Sequence, residues 1–347
     1  MKNSGKIKVG ISVGDLNGIG IEVILKTFED NRVLDFCTPI IFGSNKIVSY
    51  HKKILNIHTP INGIEQIQKS LNNKLNLVNI WKENVVIELG KATDVSGKYA
   101  FKSLEKATSA LKKGDIDVLV TAPIDKHNIQ SEKFNFKGHT EYLEANLSGE
   151  SLMILLTNEI KLGLITGHIP IKDVAKTITP ELIENKVRIM CKSLIQDFNI
   201  QKPKIAILGL NPHCGDNGVI GTEDDEIVKP IIEKMLKAGT LVYGPFAADS
   251  FFGSQTYKNF DGVLAMYHDQ GLGPFKTMSF GKGVNFTAGL NFIRTSPDHG
   301  TAFEIAGKNI ASHSSFSEAV FTAIDIYKKR DQYKELMENQ LKTNNNR

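Results

Sequence analysis

Strand-like and helix-like segments alternate along almost the whole chain, which restricts it to a layered α/β fold with a largely parallel sheet. Apolar runs predict strands over Lys6–Val13, Pro39–Phe42, Asp117–Val120, Ser151–Leu156, Lys161–Ile165, Lys204–Leu210 and Gly262–Tyr267. Helical stretches are predicted between them over Gly18–Glu29, Lys46–Leu55, Ser96–Lys113, Thr179–Phe198 and Asp225–Ala238, with a last one over Ser315–Leu341. Ala100, Leu104, Ala107 and Leu111 show the helical spacing most clearly. At 347 residues the chain is long for one hydrophobic core, so two lobes are expected. The rhythm lapses into a polar stretch near Lys126–Gly138, and a second crossing is expected between Gly273 and Gly289. The first lobe is therefore predicted over 1–130 plus about 285–347, and the second over about 131–284.

Charge and cysteine usage exclude several function classes. A net charge of +4, from 42 basic and 38 acidic residues, is too balanced for a nucleic-acid footprint. It supports a mild attraction to small anions. No apolar run approaches the ~18 residues that a membrane span needs. Met1–Gly10 lacks the apolar stretch of a signal peptide. Cys37, Cys191 and Cys214 form no C-x-x-C pair and fit a reducing compartment, so a cytoplasmic protein is expected. The polar tail after Gln340 is expected to fray.

Three histidines stand where strand-like runs end: Ile165-Thr166-Gly167-His168, Leu210-Asn211-Pro212-His213 and Ala265-Met266-Tyr267-His268. Open α/β sheets bind ligands at the carboxyl ends of their strands. Three imidazoles converging there would hold a divalent metal and leave coordination positions for a substrate. Each alone is weak evidence for a ligand; the context that all three share carries the reading.

Other motifs suit a small anionic ligand. The turn Gly14-Asp15-Leu16-Asn17-Gly18-Ile19-Gly20 joins the first strand to the first helix. Its order is not G-x-G-x-x-G, so a Rossmann dinucleotide site is not indicated; a tight turn capped by Asp15 or Asn17 is the rival reading. Val120-Thr121-Ala122-Pro123-Ile124-Asp125-Lys126 leaves a buried strand and either lines a cleft or starts a helix. His139 and Thr140 open an amphipathic helix, as anion donors or as caps. Lys276, Asn285 and Arg294 cluster within twenty residues and suit a doubly anionic substrate. Solvation explains a lone lysine but poorly explains Arg294 inside the run Phe292-Ile293-Arg294-Thr295.

Together these motifs resemble the 4-hydroxythreonine-4-phosphate dehydrogenase family, from Gly10 to about Ala323. The resemblance is carried by Gly14-Asp15…Gly18-Ile19-Gly20, Thr121-Ala122-Pro123-Ile124…Lys126, Gly138-His139-Thr140-Glu141, Leu210-Asn211-Pro212-His213, Tyr267-His268-Asp269-Gln270-Gly271 and Arg294-Thr295-Ser296…Asp298-His299-Gly300-Thr301-Ala302. It implies a two-lobed isocitrate/isopropylmalate-dehydrogenase-like fold, with the active site in the interlobe cleft. It also implies a homodimer whose metal (zinc, cobalt, magnesium or manganese) is held by His168 and His213 of one subunit with His268 of the other. Substrate contacts would fall to His139, Thr140, Lys276, Asn285 and Arg294. Asp298, His299, Gly300, Thr301 and Ala302 would bind NAD or NADP. Asp249 and Asp269 are the candidate general bases, with support of the metal ligands as their rival role.

The implied reaction is oxidation of 4-phosphohydroxy-L-threonine at C3 and decarboxylation to 3-amino-2-oxopropyl phosphate, a step of pyridoxal 5′-phosphate synthesis. The near alternative is a sibling dehydrogenase acting on D-threonate or D-erythronate 4-phosphate. The distant one is a non-redox metal-dependent phosphoester hydrolase or acyltransferase. Leu16-Asn17 replaces the family's common Pro-Ala, Gly273-Pro274-Phe275 its Pro-Val-Leu, and Asp216-Asn217-Gly218 its Glu-Gly-Gly. None of these removes an implied ligand, but they leave substrate preference open.

Overall fold

The structure, a computed structural model, describes residues 6–338. The expected frayed tail and the end of the last predicted helix lie outside the described residues. The chain runs β1 (Ile7–Ser12), α1 (Gly20–Thr27), β2 (Cys37–Gly43), α2 (Asn45–Leu55), β3 (Ile61–Ile64), β4 (Leu75–Asn79), α3 (Asp94–Lys113) and β5 (Val118–Thr121). It continues with α4 (His139–Asn146), β6 (Gly149–Leu156), β7 (Lys161–Leu164), α5 (Ile171–Thr177), α6 (Pro180–Gln196), β8 (Ile205–Leu208), α7 (Lys229–Lys237) and β9 (Val242–Phe246). Then follow α8 (Ala248–Gly253), β10 (Gly262–Ala265), α9 (His268–Ser279), β11 (Val284–Leu290), β12 (Arg294–Pro297) and α10 (Ser314–Glu338).

All twelve strands join one sheet, in the order β3-β4-β2-β1-β5-β12-β11-β6-β7-β10-β8-β9. β11 pairs antiparallel with both β12 and β6, and β6 with β7; the remaining pairs are parallel. The largely parallel α/β architecture matches the alternation in the sequence. β12 pairs with β5 while α10 packs on β12, so the carboxyl-terminal segment returns to the amino-terminal half. The stretch Gly273–Gly289, where the second crossing is expected, holds the end of α9, the turn at 280–283 and most of β11. No helix among the described residues is long and apolar enough to cross a membrane.

Apolar packing holds the strand ends that matter most. Leu162, Leu164, Ala206, Leu208, Ala265 and Phe275 share one buried cluster beneath α9. A Cβ at Gly271 would lie 2.6 Å from the Leu162 side chain, so this glycine lets α9 lie close on the sheet.

Candidate active site

The three histidines follow three neighbouring parallel strands. His168 comes after β7, His268 opens α9 after β10, and His213 lies in a 3-10 turn after β8; the sheet order there is β7-β10-β8. The rings of His168 and His268 lie 5.5 Å apart, tilted by 43°, and both face one cleft. His213 is exposed, stands in the left-handed region (φ 53°) and lines no part of that cleft. Its loop is fixed by Asp224, whose carboxylate accepts the Leu210 and Asn211 amides at 2.8 and 2.9 Å. The resemblance groups His168 with His213 in one subunit; within one chain the ring that faces His168 is that of His268, since β7 and β10 are adjacent and β8 lies one strand further out. Among the described residues no group of three or more His, Cys, Asp or Glu side chains is arranged to hold a metal ion.

The two facing imidazoles fit a metal nonetheless. His168 Nδ1 bonds Glu141 Oε1 at 3.1 Å, and His268 Nδ1 bonds Asp269 Oδ1 at 2.7 Å. A carboxylate on Nδ1 fixes the tautomer that leaves the Nε2 lone pair for a cation. A cation already stands there: the Lys126 ammonium is 3.2 Å from His168 Nε2. Asp269 is otherwise exposed (91%), and Asp249, in the first turn of α8, is exposed as well. Neither lines the cleft; among the described residues of one chain Asp269 meets only the His268 ring, and Asp249 stands apart.

The cleft has a volume of about 240 Å³. Its cationic wall is a hairpin of β11 and β12, where Asn285 lies opposite Ser296 and Arg294 reaches Thr287. Arg294 is 2% exposed. It donates to Thr121 Oγ1 from Nε (3.0 Å) and Nη2 (2.6 Å), and from Nη1 to Thr287 Oγ1 (3.2 Å). Burial pushes its pKa down to about 9, against the weaker pull of the Glu141 charge. No ion pair to Arg294 is present among the described residues. A buried guanidinium that meets only hydroxyls is poised for an anion.

His139 and Thr140, in the first turn of α4, line the same cleft. Burial, then the charges of Arg294 and Lys126, hold His139 well below its ordinary pKa, so its imidazole is neutral. Four polar atoms in the cleft wall are shut off from water without a partner: His139 Nε2, Glu141 Oε2, Asn285 Oδ1 and His299 Nε2. Lys276 is exposed and outside the lining; its ammonium donates to the Asp298 carbonyl at 2.6 Å.

Asp298, His299 and Gly300 form the cleft's far rim, while Thr301 and Ala302 sit behind it. The Thr301 carbonyl accepts the Ile19 amide at 3.0 Å, and a Cβ on Gly18 would approach that carbonyl to 2.8 Å. The glycine turn is thus packed against this loop and is not open to a phosphate. Asp15 is wholly buried, accepting from Asn128 Nδ2 (2.7 Å), Ser96 Oγ (3.1 Å) and the Asn17 amide (2.9 Å). The tight-turn alternative describes this loop, but neither Asp15 nor Asn17 caps α1, whose N-terminus has no side-chain cap.

Two residues carry more of the site than the sequence reading assigned them. Lys126 was legible as the end of a segment that lines a cleft or starts a helix, and Glu141 only as a helix position. Thr287 was detectable by its two-residue spacing from Asn285 on a strand.

Comparison with known proteins shows the family. The model of the family described as "Pyridoxal phosphate biosynthetic protein PdxA" matches residues 35–323. The 4-hydroxythreonine-4-phosphate dehydrogenase of Bacteroides thetaiotaomicron is 49% identical over 339 residues, covering 97% of this chain and 93% of its own. A putative D-threonate 4-phosphate dehydrogenase of Oceanobacillus iheyensis is 34% identical, over 93% of this chain and 98% of its own. The crystal structure of the Klebsiella pneumoniae 4-hydroxythreonine-4-phosphate dehydrogenase superposes with a TM-score of 0.79 at 30% identity, over 93% of this chain and all of that one.

Proposed function

The chain belongs to the PdxA family of pyridoxal phosphate biosynthetic proteins, and we propose that it oxidises 4-phosphohydroxy-L-threonine at C3 with NAD or NADP and a divalent metal. It is an oxidoreductase. The product, 2-amino-3-oxo-4-phosphooxybutanoate, is a β-keto acid and loses carbon dioxide to give 3-amino-2-oxopropyl phosphate. One observation carries the reading: Arg294, buried beside the paired histidines with no carboxylate partner, needs an anionic substrate.

His168, His268 and His213 are the donors for the metal, and the nicotinamide is met by the rim from Asp298 to Ala302. His168 and His268 serve from one chain. His213, exposed on its own chain, serves from the second copy of a homodimer. A divalent ion there supplies Lewis acidity at the C3 oxygen. Arg294 and Lys126 bind the phosphate and carboxylate, aligning C3 with the histidine pair. His139, held neutral, accepts or donates a hydrogen bond at Nε2 without adding charge. Glu141 and Asp269 hold the Nδ1 protons of the two histidines, so that both Nε2 atoms keep their lone pairs. Asp249 reaches the reacting atoms only from the second copy, as the candidate base. Lys276 acts through its bond to Asp298, shaping the rim. The two lobes divide near 130 and 285, and the free thiols suit the cytoplasm.

Purified protein given metal and NAD should form NADH with 4-phosphohydroxy-L-threonine, and more slowly with D-threonate and D-erythronate 4-phosphates. NADH formation from the sugar acids alone would assign the chain to the sibling activity.

A further inference from the structure

Two acceptors in the cleft, Glu141 Oε2 and Asn285 Oδ1, are shut off from water and have no donor. The other Glu141 oxygen takes the His168 Nδ1 proton at 3.1 Å, so orienting that histidine uses only half of the carboxylate. Arg294 makes no bond to the other half: its three hydrogen bonds go to Thr121 and Thr287, and the remaining N–H groups of its two Nη atoms are left for an anion. A buried carboxylate oxygen without a donor is costly, and a group bringing N–H donors and positive charge relieves the cost. The substrate proposed above carries one such group, its α-ammonium. The sugar acids present a hydroxyl at that carbon, with a single proton and no charge.

We propose that Glu141 Oε2, assisted by Asn285 Oδ1, receives the substrate's α-ammonium, and that Glu141 thereby selects an amino acid over a hydroxy acid. This rests on the reading that the cleft takes a phosphorylated four-carbon acid. It makes Glu141 a specificity determinant as well as the orienting partner of His168. The same cleft then sorts charge by place: cations of the protein face the two ends of the substrate, and an anion faces its amine.

The test is Glu141→Gln, which keeps an oxygen for the His168 Nδ1 proton and replaces Oε2 by an amide NH2. Binding of 4-phosphohydroxy-L-threonine and of D-threonate 4-phosphate to the cobalt-loaded protein is measured by calorimetry without nicotinamide cofactor. The Kd for the amino acid should rise about 30- to 100-fold, and that for the sugar acid less than about 3-fold. Cobalt affinity, measured separately, should change little, which shows that His168 is still held. An equal loss for both acids, or an unchanged ratio, overturns the assignment. Wild-type protein that binds neither acid overturns the underlying reading of the cleft instead.

Discussion

Replacing Arg294 with methionine should separate stability from catalysis. The guanidinium is 2% exposed and bonds two threonine hydroxyls, with no carboxylate to balance it. Burial lowers its pKa from the ordinary guanidinium range to about 9, so the folded protein holds the proton less tightly than the unfolded chain. Above pH 9, until the unfolded guanidinium itself titrates, the unfolded chain binds more protons and stability rises with pH; at neutral pH both states are protonated and the full penalty is present. Removing a buried charge in favour of apolar atoms is commonly neutral or stabilising by about 1–4 kcal/mol. The loss of a partner for two hydroxyls offsets about 1 kcal/mol each. Arg294→Met should therefore melt at the wild-type temperature or up to about 5 °C above it. Catalysis goes the other way. Two charge-assisted bonds to an anion, at about 1.5–3 kcal/mol each, correspond to a 10²- to 10⁴-fold fall in kcat/KM. Differential scanning fluorimetry with and without inorganic phosphate, beside NADH formation, measures both. Phosphate should raise the wild-type melting temperature and leave that of the variant unmoved. A variant that melts well below wild type, or keeps its activity within tenfold, would refute the reasoning.

The division of metal donors is open to complementation. Co-expressed His168→Ala and His213→Ala chains should regain about a quarter of wild-type activity through mixed dimers, whereas His168→Ala with His268→Ala should regain none. The opposite pattern would return His268 to the partner's side. Asp269→Ala should weaken cobalt or zinc binding about 10- to 100-fold, since it removes the acceptor that holds the His268 ring; unchanged affinity would remove its orienting role. The buried His51 has its pKa pushed down to about 4, against the pull of the Leu16 carbonyl at 3.0 Å. Because the folded value lies below the unfolded 6.5, stability is complete above pH 6.5 and falls by up to about 3 kcal/mol towards pH 4. His51→Gln should flatten that limb in urea titrations between those pH values.

The long elements were legible because burial imposes a period on them. α3, α6 and α10 carry apolar stripes, and β1, β7, β8 and β10 are short apolar runs bounded by turns. Their order in the sheet was not legible, since strands distant in sequence pair through contacts that leave no local trace. That order decides which imidazoles meet within one chain: with β10 between β7 and β8, His268 and not His213 faces His168. α9 went unrecognised as a helix because Gly271, Gly273 and Pro274 all argue against one, and packing against the sheet overrides that preference. Lys276 and Lys126 show the same limit. Both are lysines after a strand-end motif, and only the third dimension reveals which one enters the cleft.

The β11–β12 hairpin has a consequence for how this site can change. Asn285, Thr287, Arg294 and Ser296 share one face, while Phe286 is buried on the other and Thr295 bonds the Ala319 carbonyl of α10. Side chains on a strand alternate sides, so sliding one strand by a single residue would exchange the anion-binding set for the core set. Only slips of two residues preserve polarity, and those move Arg294 by about 7 Å along the strand. The anion pocket therefore has no small adjustments available through register. Finer adjustment is left to substitutions in place and to side chains such as Glu141 that approach from helices.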